Sequence, residues 1–284
     1  MSASIIDGKA IAQETRERIK AQVSDLTFQP GLAVVQVGDD PASSRYVSHK
    51  QKDCEKVGIY SEKHHLPETT SQSELLDTIQ GLNDRSEIHG ILVQLPLPDG
   101  LDSHEAINAI DPMKDVDGCT TTNLGELVSG NERLVPCTPR GTIAMIESTG
   151  TTFEGKTAVV IGRSILVGKP VALLMLNRHA VVTLCHSRTP DLGAEGREAD
   201  ILVVAAGRRG LVTGDMIKPG AVVIDVGINV VDGKLKGDVD FESAKEVAGH
   251  ITPVPGGVGP MTRAMLLENT LIAAKLQADS ASES

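Results

Sequence analysis

Residues 157–168 read TAVVIGRSILVG, and this stretch narrows the possible folds more than any other. Ala158-Val159-Val160-Ile161 is an unbroken apolar run, the pattern of a strand buried on both faces of a parallel sheet. Gly162 ends the run and Gly168 follows. Pro170 then opens an apolar helix carrying Val171, Leu174 and Met175, where a missing N–H does no harm. A strand, a glycine-flanked turn and a helix N-terminus together suit a dinucleotide pyrophosphate. Free N–H groups and the positive end of the helix dipole meet the anion there. The spacing is G-x-S-x-x-x-G, not the commoner G-x-G-x-x-G, so on this motif alone a plain glycine turn with solvated arginines stays open.

The next apolar run, residues 180–186, ends in Ser187-Arg188. An NAD enzyme usually carries Asp or Glu here for the ribose hydroxyls. A hydroxyl and a guanidinium, with Arg163 in the turn, suit a 2′-phosphate instead, because Arg holds phosphate oxygens bidentately and a carboxylate would repel them. The expected cofactor is NADP.

The rest of the chain fits a two-domain α/β protein. Its 284 residues suffice for two ordinary cores, and with no Trp and 2% aromatics those cores must be aliphatic. The net charge of −11 and the lack of a Lys/Arg cluster argue against a nucleic-acid partner. There is no signal-peptide pattern at the start and no apolar run long enough for a membrane. Cys54, Cys119, Cys137 and Cys185 lack metal-ligand spacing and read as reduced thiols of a cytoplasmic protein; no metal is expected.

Taken in order, Asp7 should cap a first helix, and residues 32–37 should form a buried strand ending at Gly38. Asp39-Asp40-Pro41 should start a second helix that closes at Gly58. Residues 59–66 and 88–95 read as further strands, with a capping box at Ser71 to Glu74 opening a helix between them. Short helices are expected over 103–110, 138–148 and 241–248. Residues 200–205 and 221–226 read as strands opening into Gly207 and Gly227-Ile228, where small residues let a flat cofactor lie on bare backbone. A loop through Gly233 and Gly237 should follow. A Pro/Gly platform over 252–262 should lead into a final helix that packs back on the first domain, and residues 277–284 should fray.

The second helix holds an anomaly. Ser43, Val47, Lys50, Cys54 and Val57 fall on one inward-facing stripe with Lys50 in its middle, and Tyr46 lies one turn earlier. Either the lysine stem lies along the core with its ammonium in water, or the amine is desolvated and its pKa falls toward proton-transfer range. Gln94, at the end of a buried strand, stands where open α/β sheets put ligands, or merely caps that end. The acidic loop 111–118, which includes Asp115 and Asp117, reads as solvated turn formers or a cation site.

Tyr46-Val47-Ser48-His49-Lys50, Val93-Gln94-Leu95-Pro96-Leu97-Pro98, Lys114-Asp115-Val116-Asp117-Gly118, Pro136-Cys137-Thr138-Pro139, Gly162-Arg163-Ser164 and residues 253–262 occur in this order. Together they resemble the bifunctional methylenetetrahydrofolate dehydrogenase/methenyltetrahydrofolate cyclohydrolase family over nearly the whole chain. The resemblance implies a catalytic domain of residues 1–137 with 263–284, a Rossmann-like NADP domain of residues 138–262, and a cleft between them. It implies NADP-dependent oxidation of 5,10-methylenetetrahydrofolate, hydrolysis to 10-formyltetrahydrofolate, and a homodimer. Lys50 would be the catalytic lysine, with Tyr46 and Gln94 around it and Asp117 on the pterin. Folate contacts would come from Ser43, Tyr46, Gln94, Leu95, Asp117, Pro253, Gly256 and Gly257. Cofactor contacts would come from Gly162, Arg163, Ser164, Ser187, Arg188, Gly207, Gly227 and Ile228. Two rival readings fit part of the pattern, a shikimate-type dehydrogenase using Lys50 as proton donor and a module that senses NADP without chemistry. The acidic loop argues against the first and the in-stripe lysine against the second.

Overall fold

The computed structural model describes residues 2–282. In chain order its elements are β1 (Ser4–Ile5), α1 (Gly8–Ser24), β2 (Gly31–Val37), α2 (Pro41–Val57), β3 (Tyr60–Leu66), α3 (Gln72–Asn83), β4 (Gly90–Val93), α4 (Ser103–Asn108), α5 (Thr121–Val128) and α6 (Cys137–Glu147). There follow β5 (Thr157–Ile161), α7 (Gly168–Leu176), β6 (Val181–Cys185), α8 (Leu192–Glu198), β7 (Ile201–Val204), a 3-10 turn at Gly214–Met216, β8 (Val222–Asp225), β9 (Asn229–Val231), β10 (Lys234–Lys236), α9 (Phe241–Ala244), β11 (His250–Ile251) and α10 (Val258–Ser282). They divide into two units. One holds Glu14–Cys137 and the residues from Arg263 onward; the other holds the residues up to Gln13 and Thr138–Thr262.

The first unit is built on a parallel sheet ordered β3-β2-β4. Its middle strand β2 is buried at every residue, which explains the apolar run, whereas the edge strand β3 is half-exposed and polar (YSEKHHL). Leu75, Ile79 and Leu82 of α3 pack on one face with Val35, Ile91 and Val93. The capping box at Ser71 and Glu74 forms as the sequence predicts. Helix α2 is bounded at both ends: Asp40 accepts from the Ser43 N–H at 2.7 Å, Pro41 occupies the first turn, and Gly58 takes the left-handed conformation at φ 84°.

The second unit carries a six-stranded parallel sheet ordered β1-β11-β8-β7-β5-β6, with α7 following β5 as the sequence predicts. Strands β7 and β8 are buried throughout, and β5 is buried beyond its first residue. The register sets Ile161 beside both Cys185 and Val204. The chain therefore leaves β5 at Gly162 pressed against the end of β7, and a Cβ on Gly162 would lie 2.1 Å from the Ala205 carbonyl oxygen. With φ at 124° as well, only glycine fits there.

Several elements differ from expectation. Strand β1 pairs in parallel with β11, so the first residues belong with the six-stranded sheet and not with the Lys50 unit. A two-residue strand has no periodicity to read, and its pairing partner lies far along the chain. Helix α5 was not anticipated; its Thr residues and Gly125 have low helix propensity, and the Thr120 side chain starts it by accepting from the Asn123 N–H. Helix α8 was missed for a related reason: Gly193 and Gly196 serve close packing, and a Cβ on Gly196 would lie 2.3 Å from the Met216 carbonyl oxygen. The loop through Gly233 is the tip of a β9–β10 hairpin. Helix α10 begins at Val258, inside the expected platform, and continues to Ser282 without fraying. Its Gln277 amide donates to the carbonyls of His89 at 2.8 Å and Met113 at 3.0 Å, which ties the segment down. Glu283 and Ser284 lie outside the described residues.

The returning helix is anchored by Asn269, which is fully buried and donates to the carbonyls of Val116 and Val135, both at 2.9 Å. Val116 lies within the acidic loop and the Val135 backbone packs against Gly118 at its end, so α10 holds that loop in place. Asn269→Ala leaves them without this donor, and urea denaturation should register a loss of about 2–3 kcal/mol. A loss below about 1 kcal/mol would show that solvent replaces the amide.

Candidate active site

Helix α2 presents Ser43, Val47, Cys54 and Val57 to the interior, all at most 4% exposed, with Lys50 half-buried among them. The Lys50 ammonium does not reach for water; it donates to the Gln94 side-chain oxygen at 2.9 Å. Gln94 is the first residue beyond β4, and its N–H continues the ladder to Val35 at 2.8 Å. Its own NH2 group donates to the Leu95 carbonyl at 2.6 Å, which turns the amide oxygen toward the lysine. The residue both ends the strand and aims a polar group.

Asp117 completes the arrangement from the acidic loop. Burial lowers the Lys50 pKa below its usual value, opposed by the charge of Asp117. Burial likewise raises the Asp117 pKa, opposed first by the Lys50 charge, with Asp115 raising it further and a hydrogen bond with Cys137 lowering it. Two groups whose charged forms are both disfavoured by burial stand close enough to compensate one another. The Cys137 thiol is pushed well above its normal pKa by burial and by Asp117, so it stays protonated. It also reaches the Val116 carbonyl at 3.3 Å.

Three expectations change here. Asp117 is not a solvated turn former but a buried acid beside Lys50 and Cys137. Its neighbour Asp115 is fully buried and organises the loop, accepting from the Thr120 N–H at 2.8 Å and the Asn123 amide at 2.9 Å. Tyr46 is 44% exposed and makes no hydrogen bond to Lys50; among the described residues it is Gln94 that bonds the amine. Cys137 stands in a motif noted in the sequence, but no local spacing announced that it would meet Asp117. Ser43 commits its N–H to the α2 cap, and the Leu95 carbonyl is taken by Gln94. Pro253, Gly256 and Gly257 belong to the other unit, where the Gly257 N–H donates to the Pro253 carbonyl at 2.9 Å. Gly256 has φ 115°, and a Cβ on Gly8 would lie 2.0 Å from the Gly257 oxygen.

In that second unit a cavity of about 290 Å3 opens at the end of β5. Its polar lining is Gly162, Arg163, Ser164, His186, Ser187 and Arg208, with no carboxylate. Gly168 must also be glycine, because a Cβ would lie 2.0 Å from the Gly162 oxygen. The Ser164 hydroxyl accepts from the N–H groups of Val167 at 3.2 Å and Gly168 at 3.4 Å, which fixes the turn ahead of α7. Bare backbone, a helix N-terminus and two guanidiniums fit a phosphorylated dinucleotide. Arg188 is exposed outside the cavity, its N–H donating to His186 Nδ1 at 3.1 Å. Gly207, Gly227 and Ile228 lie at the ends of β7 and β8, also outside it, with Ile228 54% exposed. Arg208 and His186 were not expected in the site. The signal available for Arg208 was a basic residue directly after the Gly207 strand end.

Comparison with known proteins identifies the two domains. Residues 6–117 match the model of the tetrahydrofolate dehydrogenase/cyclohydrolase catalytic domain, and residues 136–278 match that of the NAD(P)-binding domain of the same family. The chain is 60% identical to the bifunctional protein FolD of Moorella thermoacetica, over 97% of this chain and 100% of that protein. The crystal structure of the bifunctional FolD from Campylobacter jejuni superposes with a TM-score of 0.95 at 46% identity, covering 97% of this chain and 99% of that one. The Trypanosoma brucei enzyme, solved with NADP and an inhibitor, has a TM-score of 0.93 at 39% identity, covering 98% of this chain and 99% of that one. The chain belongs to the tetrahydrofolate dehydrogenase/cyclohydrolase family.

Proposed function

We infer that this chain carries both activities of its family. It oxidises 5,10-methylenetetrahydrofolate to the 5,10-methenyl cation with NADP and hydrolyses that cation to 10-formyltetrahydrofolate. The observation that carries the residue assignment is the Lys50 amine, desolvated, bonded to Gln94 and facing Asp117. The same family resemblance supports a homodimer, and four buried free cysteines support a reducing cytoplasm.

Loss of hydride from the methylene carbon leaves a cation shared by two nitrogens, so this step needs orientation more than an acid or a base. When bound, NADP supplies the hydride acceptor. Gly162, Ser164 and the α7 N-terminus would hold its pyrophosphate, and Arg163, Ser187 and Arg208 its 2′-phosphate. Hydrolysis makes different demands: the attacking water must lose protons, and one folate nitrogen must gain one. An amine with a lowered pKa can take a proton from water and return it to nitrogen. Gln94 fixes its direction, while Asp117 holds the proton balance of the pair and offers a carboxylate to the aminopyrimidine edge of the pterin. Tyr46, exposed one turn away, is free to stack on or bond to the folate. Ser43, Leu95, Pro253, Gly256 and Gly257 remain folate contacts of this reading, as Arg188, Gly207, Gly227 and Ile228 remain cofactor contacts.

Steady-state turnover of methylenetetrahydrofolate with NADP and with NAD tests the whole reading, and no NADPH formation would end it. Within it, Arg163→Ala should weaken NADP much more than NAD. One lost charge-assisted contact is worth ~1.5–3 kcal/mol, roughly ten- to a hundred-fold in affinity. Equal losses for the two cofactors would reduce Arg163 to a residue that shapes the turn.

Lys50→Met separates the half-reactions, because it keeps the stem and removes the amine. Cyclohydrolase activity should fall by about 10²–10⁴-fold, with dehydrogenase activity falling less. Stability should change little at neutral pH, because losing the burial penalty of the amine is offset by Asp117 losing the charge that compensates it. Because the folded pKa of Lys50 lies below the unfolded one, its burial penalty is fully present below the folded pKa and fades as pH rises toward the unfolded value. The share of that balance due to the amine should therefore shrink in alkaline buffer, and the Asp117 pKa should rise further once its partner is gone. An unchanged cyclohydrolase rate would remove Lys50 from the mechanism.

A further inference from the structure

The loops leaving β7 and β8 are joined through two buried carboxylates that lie outside the chemistry above. Asp238 is fully buried just beyond the β9–β10 hairpin, and one of its oxygens accepts from the N–H groups of Ala206 and Gly207, both at 2.7 Å. Its other oxygen accepts from the Asn229 amide at 2.9 Å. Gly227 packs directly on this carboxylate, and a Cβ there would lie 2.2 Å from the Asp238 Cγ. Asp225, the last residue of β8, holds Asp238 in turn. It accepts from the N–H groups of Gly227 at 3.0 Å, Asp238 at 2.9 Å and Val239 at 3.0 Å. Burial raises the Asp225 carboxyl to about 6 against the pull of those N–H groups, so it is largely ionised and fully accepting at neutral pH.

The sheet order gives this cluster its meaning. In the order β8-β7-β5-β6 the turn after β5 takes the pyrophosphate, and the end of β6 carries Ser187 for the 2′-phosphate of the adenosine half. The nicotinamide half must then run the other way, over the ends of β7 and β8. Those ends are the two loops that Asp238 ties together. A bulky apolar side chain, Ile228, stands 54% exposed on one of them.

We propose that Asp238 is a positioning residue for the cofactor: by bonding Ala206, Gly207 and Asn229 at once it locks the two loops into the surface that receives the nicotinamide half. This rests on the reading that Gly207, Gly227 and Ile228 contact NADP. Asp238 itself touches neither substrate nor cofactor. The lock acts on the dehydrogenase step alone, because hydrolysis of the methenyl cation uses no dinucleotide.

Three variants of the full chain test it. Asp238→Ala removes every acceptor and should raise the KM for NADP at least about tenfold, the scale of charged hydrogen bonds lost. Cyclohydrolase rate and folate KM should stay within about twofold, since no group that handles protons or folate has moved. Asp238→Asn keeps one acceptor oxygen and should recover most of the loss. Asn229→Ala leaves the bonds of Asp238 to Ala206 and Gly207 in place and removes the tie to the β8 loop, with a longer 3.3 Å bond to the Lys236 carbonyl, from a half-buried position, so it folds even where Asp238→Ala does not, and should raise the KM for NADP roughly threefold.

Hydrogen exchange of residues 205–208 and 226–229, with and without saturating NADP, separates the two ideas. No protection by NADP in the unmodified protein would defeat the contact assignment and the lock with it. Protection that survives unchanged in Asp238→Ala and Asn229→Ala, or an unchanged KM for NADP in both, would overturn the lock alone. A parallel fall of both activities with that KM unchanged would also overturn it, leaving Asp238 a structural residue.

Discussion

A parallel strand buried on both faces has no room for an unpaired polar side chain, because every such group would be desolvated without compensation. Chemistry is therefore driven to the strand ends, where the ladder stops and the chain turns. Both units place their candidate working groups accordingly, although β2 does bury Gln36, whose NH2 group donates to the Gly38 carbonyl and the Ser44 hydroxyl. Gln94 stands at the first position past β4, Gly162 at the first past β5, and Gly207 and Gly227 just past β7 and β8. The sheets are scaffolds whose carboxyl ends form the working surface.

The two working surfaces solve different electrostatic problems. Around Lys50 burial disfavours a cation and an anion together, and the pair is tolerable because each compensates the other while Gln94 and Cys137 supply hydrogen bonds. The result is an amine poised to change protonation, which a hydrolysis needs and a snorkelling lysine would not provide. At the end of β5 the surroundings carry guanidiniums and hydroxyls without carboxylates, which favours a fixed dianion and no proton traffic.

Close backbone approach ties the parts together. Gly162 against Ala205, Gly168 against Gly162, and Gly227 against Asp238 each leave no space for a Cβ. These glycines serve proximity more than flexibility, and the same holds for Gly196 in α8, where glycine content hid a helix from propensity reasoning. The buried acids of the 111–118 loop misled in the opposite direction. Acidic residues in a loop usually face water, but Asp115 is the acceptor around which its loop folds.

The sequence by itself determined what repeats or spaces locally. The apolar runs of the central strands, the capping box at Ser71, the bounded α2 with Lys50 on its inner stripe, and the glycine turn before α7 all follow from short-range patterns. Only the tertiary structure decided what depends on partners far along the chain. Two-residue β1 joins the six-stranded sheet through a strand near residue 250, Asn269 reaches back to Val116, and Cys137 meets Asp117. Tyr46, adjacent to Lys50 on the helix, proved not to hold it, whereas Gln94, 44 residues away, did. Local spacing fixes which face of a helix a residue occupies. Which partner waits on that face is set by how sheets and loops pack, and no short window of sequence contains that information.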